Sequence, residues 1–310
     1  MSIESDSPGK MWRKQGLLYA PQGERDWMGT YATLPVVNHI DGDRFRIFLS
    51  GRDSGKRAHP GYVEIDITNP PKILSISKKP LLVPGPSGTF EDAGVYFSWL
   101  APHNSEKYMY YIGWNLGVKV PFRIAIGLAI SKDDGKTFKR YAPGPILDRG
   151  PYDAGFVGSC CVLPEGDRWR MWYVSCTGWE LVDGKMRHNY HIKYAESRDG
   201  INWQRDGIVS IDFASKEEYA IARPCVIKEN GLYKMWYCYR GDYYRIGYAE
   251  SKDGISWERK DGLLGLDVSE TGWDSEMVAY PFVFDHKGTR YMLYNGNGYG
   301  KTGLGYAIFK

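Results

Sequence analysis

The chain has 310 residues and is nearly charge-balanced, with 40 Lys and Arg against 37 Asp and Glu for a formal net charge of +3. No run of basic residues would track a phosphate backbone, so nucleic acid is not an expected partner. No apolar run reaches the length of a membrane-crossing helix, and "MSIESDSPGKMWRKQG" has no apolar core of a secretory signal, so the expectation is a cytoplasmic protein without membrane insertion.

Aromatic residues make up 15% of the chain, led by 24 Tyr and 11 Trp, and they stand beside 37 Gly and 17 Pro. Many large flat side chains between many turn formers predict a β-rich domain. Of the five cysteines, Cys160 and Cys161 are adjacent, and Cys176, Cys225 and Cys238 lie in apolar, strand-like runs. That spacing suits neither a zinc site nor a disulfide framework and reads as reduced, buried thiols. His188 and His191, and separately His103, also lack metal spacing. No metal or cofactor is expected.

In chain order, residues 1–10 read as a flexible tail and 11–310 as one domain. After the tail comes "MWRKQGLLYAP", a strand pattern without a neighbour close in sequence. A first unit follows, with "GERDWMGTYATLP" leading into an apolar run, then the aromatic strand "RFRIFLSG", then "PGYVEIDI" turning through "TNPPK". The second unit runs from "GTFEDAGVYFSW" through "KYMYYIGW" to "SKDDGKTF", and the third from "PYDAGFVGSCC" through "RWRMWYVS" to "YAESRDGINWQRDG". The fourth runs from "KEEYAIARP" through "LYKMWYCY" to "YAESKDGISWERKDG". The last, "GWDSEMVAYP", "RYMLYNGN", "TGLGYAIFK", stops after three strands.

Each unit thus reads as four strands, here A (apolar), B (aromatic), C and D. The Asp-Gly turns between C and D are strong hairpin signals. Repetition of a four-stranded antiparallel unit predicts an all-β, five-bladed β-propeller. The strand missing from the last unit is found at the start, where Trp12, Arg13 and Gly16 echo Trp257, Arg259 and Gly262. The N-terminal strand around Trp12 is therefore expected to close the ring.

Strands alternate in direction, so the start of A and the B–C loops share one face and the C–D turns the other. The Asp-Gly phrases count blades on the second face. The first face gathers acids at the start of A: Asp26, Glu91 and Asp92, Asp153, Glu217 and Glu218, and Asp274 and Glu276. Aligned on the Pro of strand A or its equivalent, Asp153, Glu217 and Asp274 share a column, whereas Glu276 and Arg223 stand alone. Repeated columns point to architecture and departures from them to function. The B–C loops add Arg52, Asp53, Trp114, Asn115, Trp179, Arg240, Asn295 and Asn297, and Glu218, Asp274 and Tyr280 complete the expected binding residues. Acids, amides, arginines and aromatic faces on one mouth suit a polyhydroxylated ligand.

With these motifs in place, the sequence resembles the five-bladed propeller glycoside hydrolase clan that includes families 43, 32, 68 and 130. The "MWYVS", "MWYCY" and "YAESKDG" phrases are most similar to uncharacterised propellers of bacterial polysaccharide gene clusters. They are also similar to the N-terminal domain of glucosamine inositolphosphorylceramide transferases. "SKDDGKTF" resembles the Asp-box of sialidase propellers, a structural turn. The resemblance implies an enzyme acting on glycosidic bonds, with Glu276 as general acid, Asp153 or Asp92 as base or orienting carboxylate, and Asp26 in the base or nucleophile position. It also implies that Arg223 anchors a sugar hydroxyl or an anionic group. Where the clan reads Arg-Asp-Pro, this chain reads Arg-Pro, so a phosphorylase using Arg223, Arg52 and Arg240 stays open. So do glycosyl transfer on a phosphate- or nucleotide-bearing sugar and a binding-only propeller.

Overall fold

The structure is a computed structural model that describes residues 11–310, so the expected tail at 1–10 lies outside the described residues. The fold is all-β. β1 (Trp12–Tyr19) precedes a unit of β2 (Thr30–Asp41), β3 (Arg44–Arg52), β4 (Ala58–Asp66) and β5 (Ile73–Ile76). Next come β6 (Gly94–His103), β7 (Glu106–Leu116), β8 (Phe122–Ser131) and β9 (Lys139–Arg140), then β10 (Val157–Glu165), β11 (Arg168–Val182), β12 (Lys185–Ser197) and β13 (Val209–Ile211). β14 (Ala220–Glu229), β15 (Leu232–Arg240), β16 (Tyr244–Ser251) and β17 (Glu258–Arg259) follow, and β18 (Ala279–His286), β19 (Thr289–Asn295) and β20 (Leu304–Phe309) end the chain.

Within each group consecutive strands pair antiparallel. β20 takes its second neighbour from the far end of the chain, with Trp12 opposite Phe309 and Tyr19 opposite Leu304. Single parallel bridges join successive groups, Ala58 to Gly94 and Tyr190 to Ala220.

The first strand of every group carries a register shift, at Leu34, Ser98, Ser159, Arg223 and Tyr280. Leu34, Ser159, Arg223 and Tyr280 take positive φ, between 36° and 58°. Such bulges bend a strand and re-aim its side chains, at a cost on the order of 1–3 kcal/mol for each left-handed non-glycine residue. Here they fall beneath one face of the molecule.

Small side chains of the preceding group stitch each bulged strand in place. Ser50 Oγ accepts from Phe97 N, Ser98 Oγ from Cys160 N, Cys161 Sγ from Val226 N, Cys225 Sγ from Val283 N, and Asn295 Oδ1 from Leu34 N. Each contact satisfies a buried backbone donor that the sheet itself leaves open. All five cysteines are buried and unpaired, as the sequence suggests.

On the other face the Asp-Gly turns form as expected. Ser251 Oγ donates to Asp253 at 2.9 Å, and Asp253 accepts from Ile255 N and Ser256 N at 2.8 Å each. Ser131 with Asp133 and Ser197 with Asp199 repeat the pattern. The turns also link groups, because Tyr110 Oη reaches Gly200 O at 2.7 Å and Trp172 Nε1 reaches Gly254 O at 2.9 Å.

Candidate functional site

A cavity of about 310 Å³ opens on the face that holds the starts of the first strands. Strand ends supply its lining. Tyr31, Thr33 and Leu34 come from β2, Arg52 from the end of β3, and Tyr96 from β6. Ile112 and Trp114 come from β7, Phe122 and Ile124 from β8, and His188 and Tyr190 from β12. Arg240 closes β15, Tyr280 opens β18, and Tyr299 lies between β19 and β20. Phe156, Ser159, Val174 and Ala222 fill the remainder.

Aromatic contacts hold this lining in place. Trp114 stacks on Phe122 with ring centroids 4.0 Å apart, and His188 lies parallel to Tyr190 at 4.9 Å. Trp179 stands behind the wall, 5.2 Å from Phe122 and 5.3 Å from His188. Arg52 donates from Nε to Tyr96 Oη at 3.0 Å, and its guanidinium lies 4.4 Å from the Tyr31 ring. The Arg240 guanidinium is 5.3 Å from Tyr219 and 5.5 Å from both Tyr244 and Tyr299. Burial, followed by the Arg240 charge, pulls the His188 imidazole down to about 4, so it is neutral at pH 7. Burial likewise raises Tyr190, Tyr244 and Tyr280, and these phenols stay protonated. Such a lining can stack on a sugar ring and bind hydroxyls or an oxyanion directionally.

Among the residues named from sequence, Arg52, Trp114, Arg240 and Tyr280 line the cavity. The acids do not. Asp153 is 1% exposed and accepts from Ser175 Oγ at 2.6 Å, Arg205 Nη1 at 2.8 Å, and Tyr173 Oη. The same arrangement recurs as Glu91 with Arg140 at 2.6 Å, Glu218 with Arg259 at 2.7 Å, and Asp274 with Lys14 at 2.7 Å. In each case the base of an aromatic-x-base phrase, in or just before the strand that pairs with the third one, clamps the acid that leads into the first strand. The fourth-unit member is Glu218, one place on from the Glu217 expected from alignment on Pro224; Glu217 is exposed.

The remaining named residues are held by their own neighbourhoods. Asp53 accepts from Arg57 and His59, and Asp92 from Gly88 N and Asn115 Nδ2. Asn295 is fully buried under β2, donating to Ala32 O and Gly303 O, and Asn297 Oδ1 accepts from the backbone of Glu276 and Met277. Asp26 and Glu276 are exposed outside the cavity lining. Arg223 does not reach the mouth. It is fully buried and donates to Ser98 O and Pro35 O at 2.6 Å each, joining three inner strands.

Tyr31, Tyr96, Phe122, His188, Tyr190 and Tyr299 line the cavity without having been singled out from sequence. The available signal was position: they stand at the starts of first and third strands and in a B–C loop, where alternation aims side chains at the mouth.

No protein-family model matches the chain. Solved structures place its fold among the propeller glycoside hydrolases. A thermostable family-43 glycoside hydrolase matches with a TM-score of 0.67 and 19% identity, over 91% of this chain and 88% of its own. A structure from the GH130 family of mannoside phosphorylases, which contains glycoside hydrolases that target beta-1,2 mannosidic linkages in Candida mannan, matches with a TM-score of 0.69 and 17% identity, over 99% and 95%. At those identities the likeness is one of fold.

Closer in sequence are two proteins of Mycobacterium tuberculosis. Uncharacterized protein MT1551 (strain CDC 1551 / Oshkosh) is 43% identical and uncharacterized protein Rv1502 (strain ATCC 25618 / H37Rv) 42% identical, each over 302 residues, 96% of this chain and 99% of theirs. This chain belongs to their family. A 1,2-beta-oligomannan phosphorylase of Thermoanaerobacter sp. (strain X514) is 34% identical over 101 residues, 31% of this chain and 34% of that protein.

Proposed function

We propose that this chain is a carbohydrate-active protein that takes a glycan into the cavity at the mouth of a five-bladed propeller. In this reading each strand group is a blade, and β1 fastens the ring by completing the last one. The pairing of β1 with β20 and the bond from Leu34 N to Asn295 support that closure.

One observation carries the glycan reading. The cavity combines stacked aromatic rings with a few directional polar groups, and no Asp or Glu lines it among the described residues. Hydrolysis by a carboxylate pair needs an acid and a base flanking the bond. The lining therefore favours glycan binding, or transfer assisted by phosphate, over that mechanism. Phosphorolysis draws specific support from the stretch shared with the oligomannan phosphorylase. Glu276 is exposed outside the lining, with its backbone N–H held by Asn297, so it can act as general acid only on a glycan that extends beyond the cavity, and it is the carboxylate to test in that role.

The test measures oligosaccharide binding by calorimetry, and turnover with and without inorganic phosphate, for wild type, Trp114→Ala and Glu276→Gln. Trp114→Ala is expected to weaken binding about tenfold, roughly 1.4 kcal/mol. Glu276→Gln is expected to bind normally and lose turnover. Unchanged binding by Trp114→Ala removes the cavity from the reading, and full turnover by Glu276→Gln removes the general-acid role.

A further inference from the structure

Two cations in the cavity have no countercharge. Arg52 and Arg240 both line it, and neither pairs with a carboxylate among the described residues. Elsewhere half-buried arginines are matched, as with Arg140 on Glu91, Arg205 on Asp153 and Arg259 on Glu218. The nearby acids do not supply one: the carboxylate after Arg52 is held by other residues, and that of Asp242, two places after Arg240, is exposed and makes no ion pair among the described residues. Asp53 is taken by Arg57 and His59, and Asp242 offers Arg240 only its backbone carbonyl, at 3.4 Å.

The local geometry also leaves specific donors open. Tyr31 packs against the guanidinium of Arg52, and Tyr219, Tyr244 and Tyr299 surround that of Arg240. Aromatic rings attract a guanidinium electrostatically without using its in-plane N–H groups. The Nε atoms are used once each, and the Nη groups of both residues have no acceptor among the described residues. Those Nη groups form the edge that suits a bidentate oxyanion. His188, on the same wall, has no hydrogen-bond partner among the described residues. Unmatched charge in a low-dielectric cavity focuses a positive field, and no lining carboxylate opposes it.

We propose that the cavity is built for an anionic sugar, one carrying a carboxylate or a phosphate monoester that Arg52 and Arg240 grip while the aromatic walls hold the ring. The proposal rests on the glycan reading above and narrows it to a substrate class.

Calorimetric titration of the full chain with glucuronate, glucose 6-phosphate, glucose and inorganic phosphate tests it, with Arg52→Gln and Arg240→Gln alongside wild type. The acidic sugars are expected to bind at least tenfold more tightly than glucose, and each variant to lose most of that excess. Raising the salt concentration on wild type, where folding is not in question, should weaken the acidic sugars and leave glucose unchanged. Glucose binding as tightly as its acidic relatives overturns the proposal and leaves the glycan reading intact. Inorganic phosphate binding with no sugar doing so preserves the oxyanion grip and overturns the glycan reading. Binding of none of the four probes overturns both.

Discussion

Arg205 Nη1 lies 2.8 Å from Asp153 Oδ2, and the carboxylate it meets has no solvent exposure. Asp153 stands where the clan resemblance places a base or an orienting acid. Its oxygens are nevertheless consumed by Ser175, Tyr173 and Arg205, with Lys193 a further 3.6 Å away. Removing one partner of a buried pair strands the other charge, which costs about 3–5 kcal/mol. Asp153→Ala should therefore lower unfolding free energy by that amount in a denaturant titration. Pairing it with Arg205→Met should recover part of the loss, because only Lys193 of the two cations facing the lost carboxylate then remains. Sugar affinity per folded molecule should not change in either variant. A variant of full stability that has lost activity contradicts the structural role.

His188 gives a pH dependence of definite sign. Burial and the Arg240 charge lower it from the ordinary 6.5 to about 4. Between those values the unfolded chain binds a proton that the folded chain excludes. Stability from this group is present above about pH 6.5 and is lost as pH falls toward 4. A displacement of this size corresponds to a loss on the order of 3 kcal/mol. His188→Gln should flatten the decline over that window. Monitoring the imidazole by NMR should place its titration well below that of an exposed histidine, and a midpoint near 6.5 contradicts the assignment.

How far the sequence reaches follows from which interactions are local. The Asp-Gly turns are closed by residues within four positions, Ser131 with Gly135 and Ser251 with Gly254, so the strings alone place them. The Trp12 phrase could be found because it copies a neighbouring unit. The acid clamps were harder. Their partners are 41 to 260 positions apart, and in the fourth unit the pair is Glu218 with Arg259, not Glu217. Alignment on Pro224 does not see how the chain enters its bulge, and one residue of difference exchanges a half-buried, ion-paired carboxylate for an exposed one. Arg223 breaks the repeat because three inner strands meet around it, a packing demand with the same signature as a functional departure. His188 carries no sequence signal beyond its lack of metal spacing, because its place in the cavity depends on the alternation of a long third strand.

The thiols offer a chemical test of the inner strands. Cys161 and Cys225 accept hydrogen bonds from Val226 N and Val283 N at 3.3 and 3.2 Å. Burial pushes Cys160 up to about 12 and Cys225 up to about 11. Since the thiolate is the nucleophile, native protein at pH 8 should resist iodoacetamide at all five positions and react only on unfolding. Cys225→Ala removes the acceptor and should cost about 1–3 kcal/mol, whereas Cys225→Ser should recover part of it. Rapid labelling of the native chain contradicts this packing.

The Asp-Gly turn at Asp253 makes a smaller, acid-sensitive contribution. The backbone donors of Ile255 and Ser256 lower this carboxyl from its ordinary 3.8 to about 2. Its stabilisation is present above about pH 4 and disappears as pH falls toward 2. Asp253→Ala should shift the unfolding midpoint at pH 7 and lose that shift at pH 2. Trp172→Phe, which deletes the bond to Gly254 O, should destabilise at both pH values, because no titrating group is involved.

The strand at Trp12 decides whether the chain ends hold one another. Its indole is 6% exposed, stands edge-on to Trp236 at 6.3 Å and lies 5.2 Å from Phe309. Met11 and Lys310 exchange two backbone hydrogen bonds just beyond it. Replacing a buried Trp by Ala costs about 3–5 kcal/mol through lost burial and the cavity left behind. If β1 fastens the last group to the ring, Trp12→Ala should also raise hydrogen exchange in β20 and β19 well before it does so in β7 or β11. A uniform rise across all groups points instead to one cooperative core in which β1 has no special place. Strands that exchange no faster than in wild type leave β1 an ornament on an already closed fold.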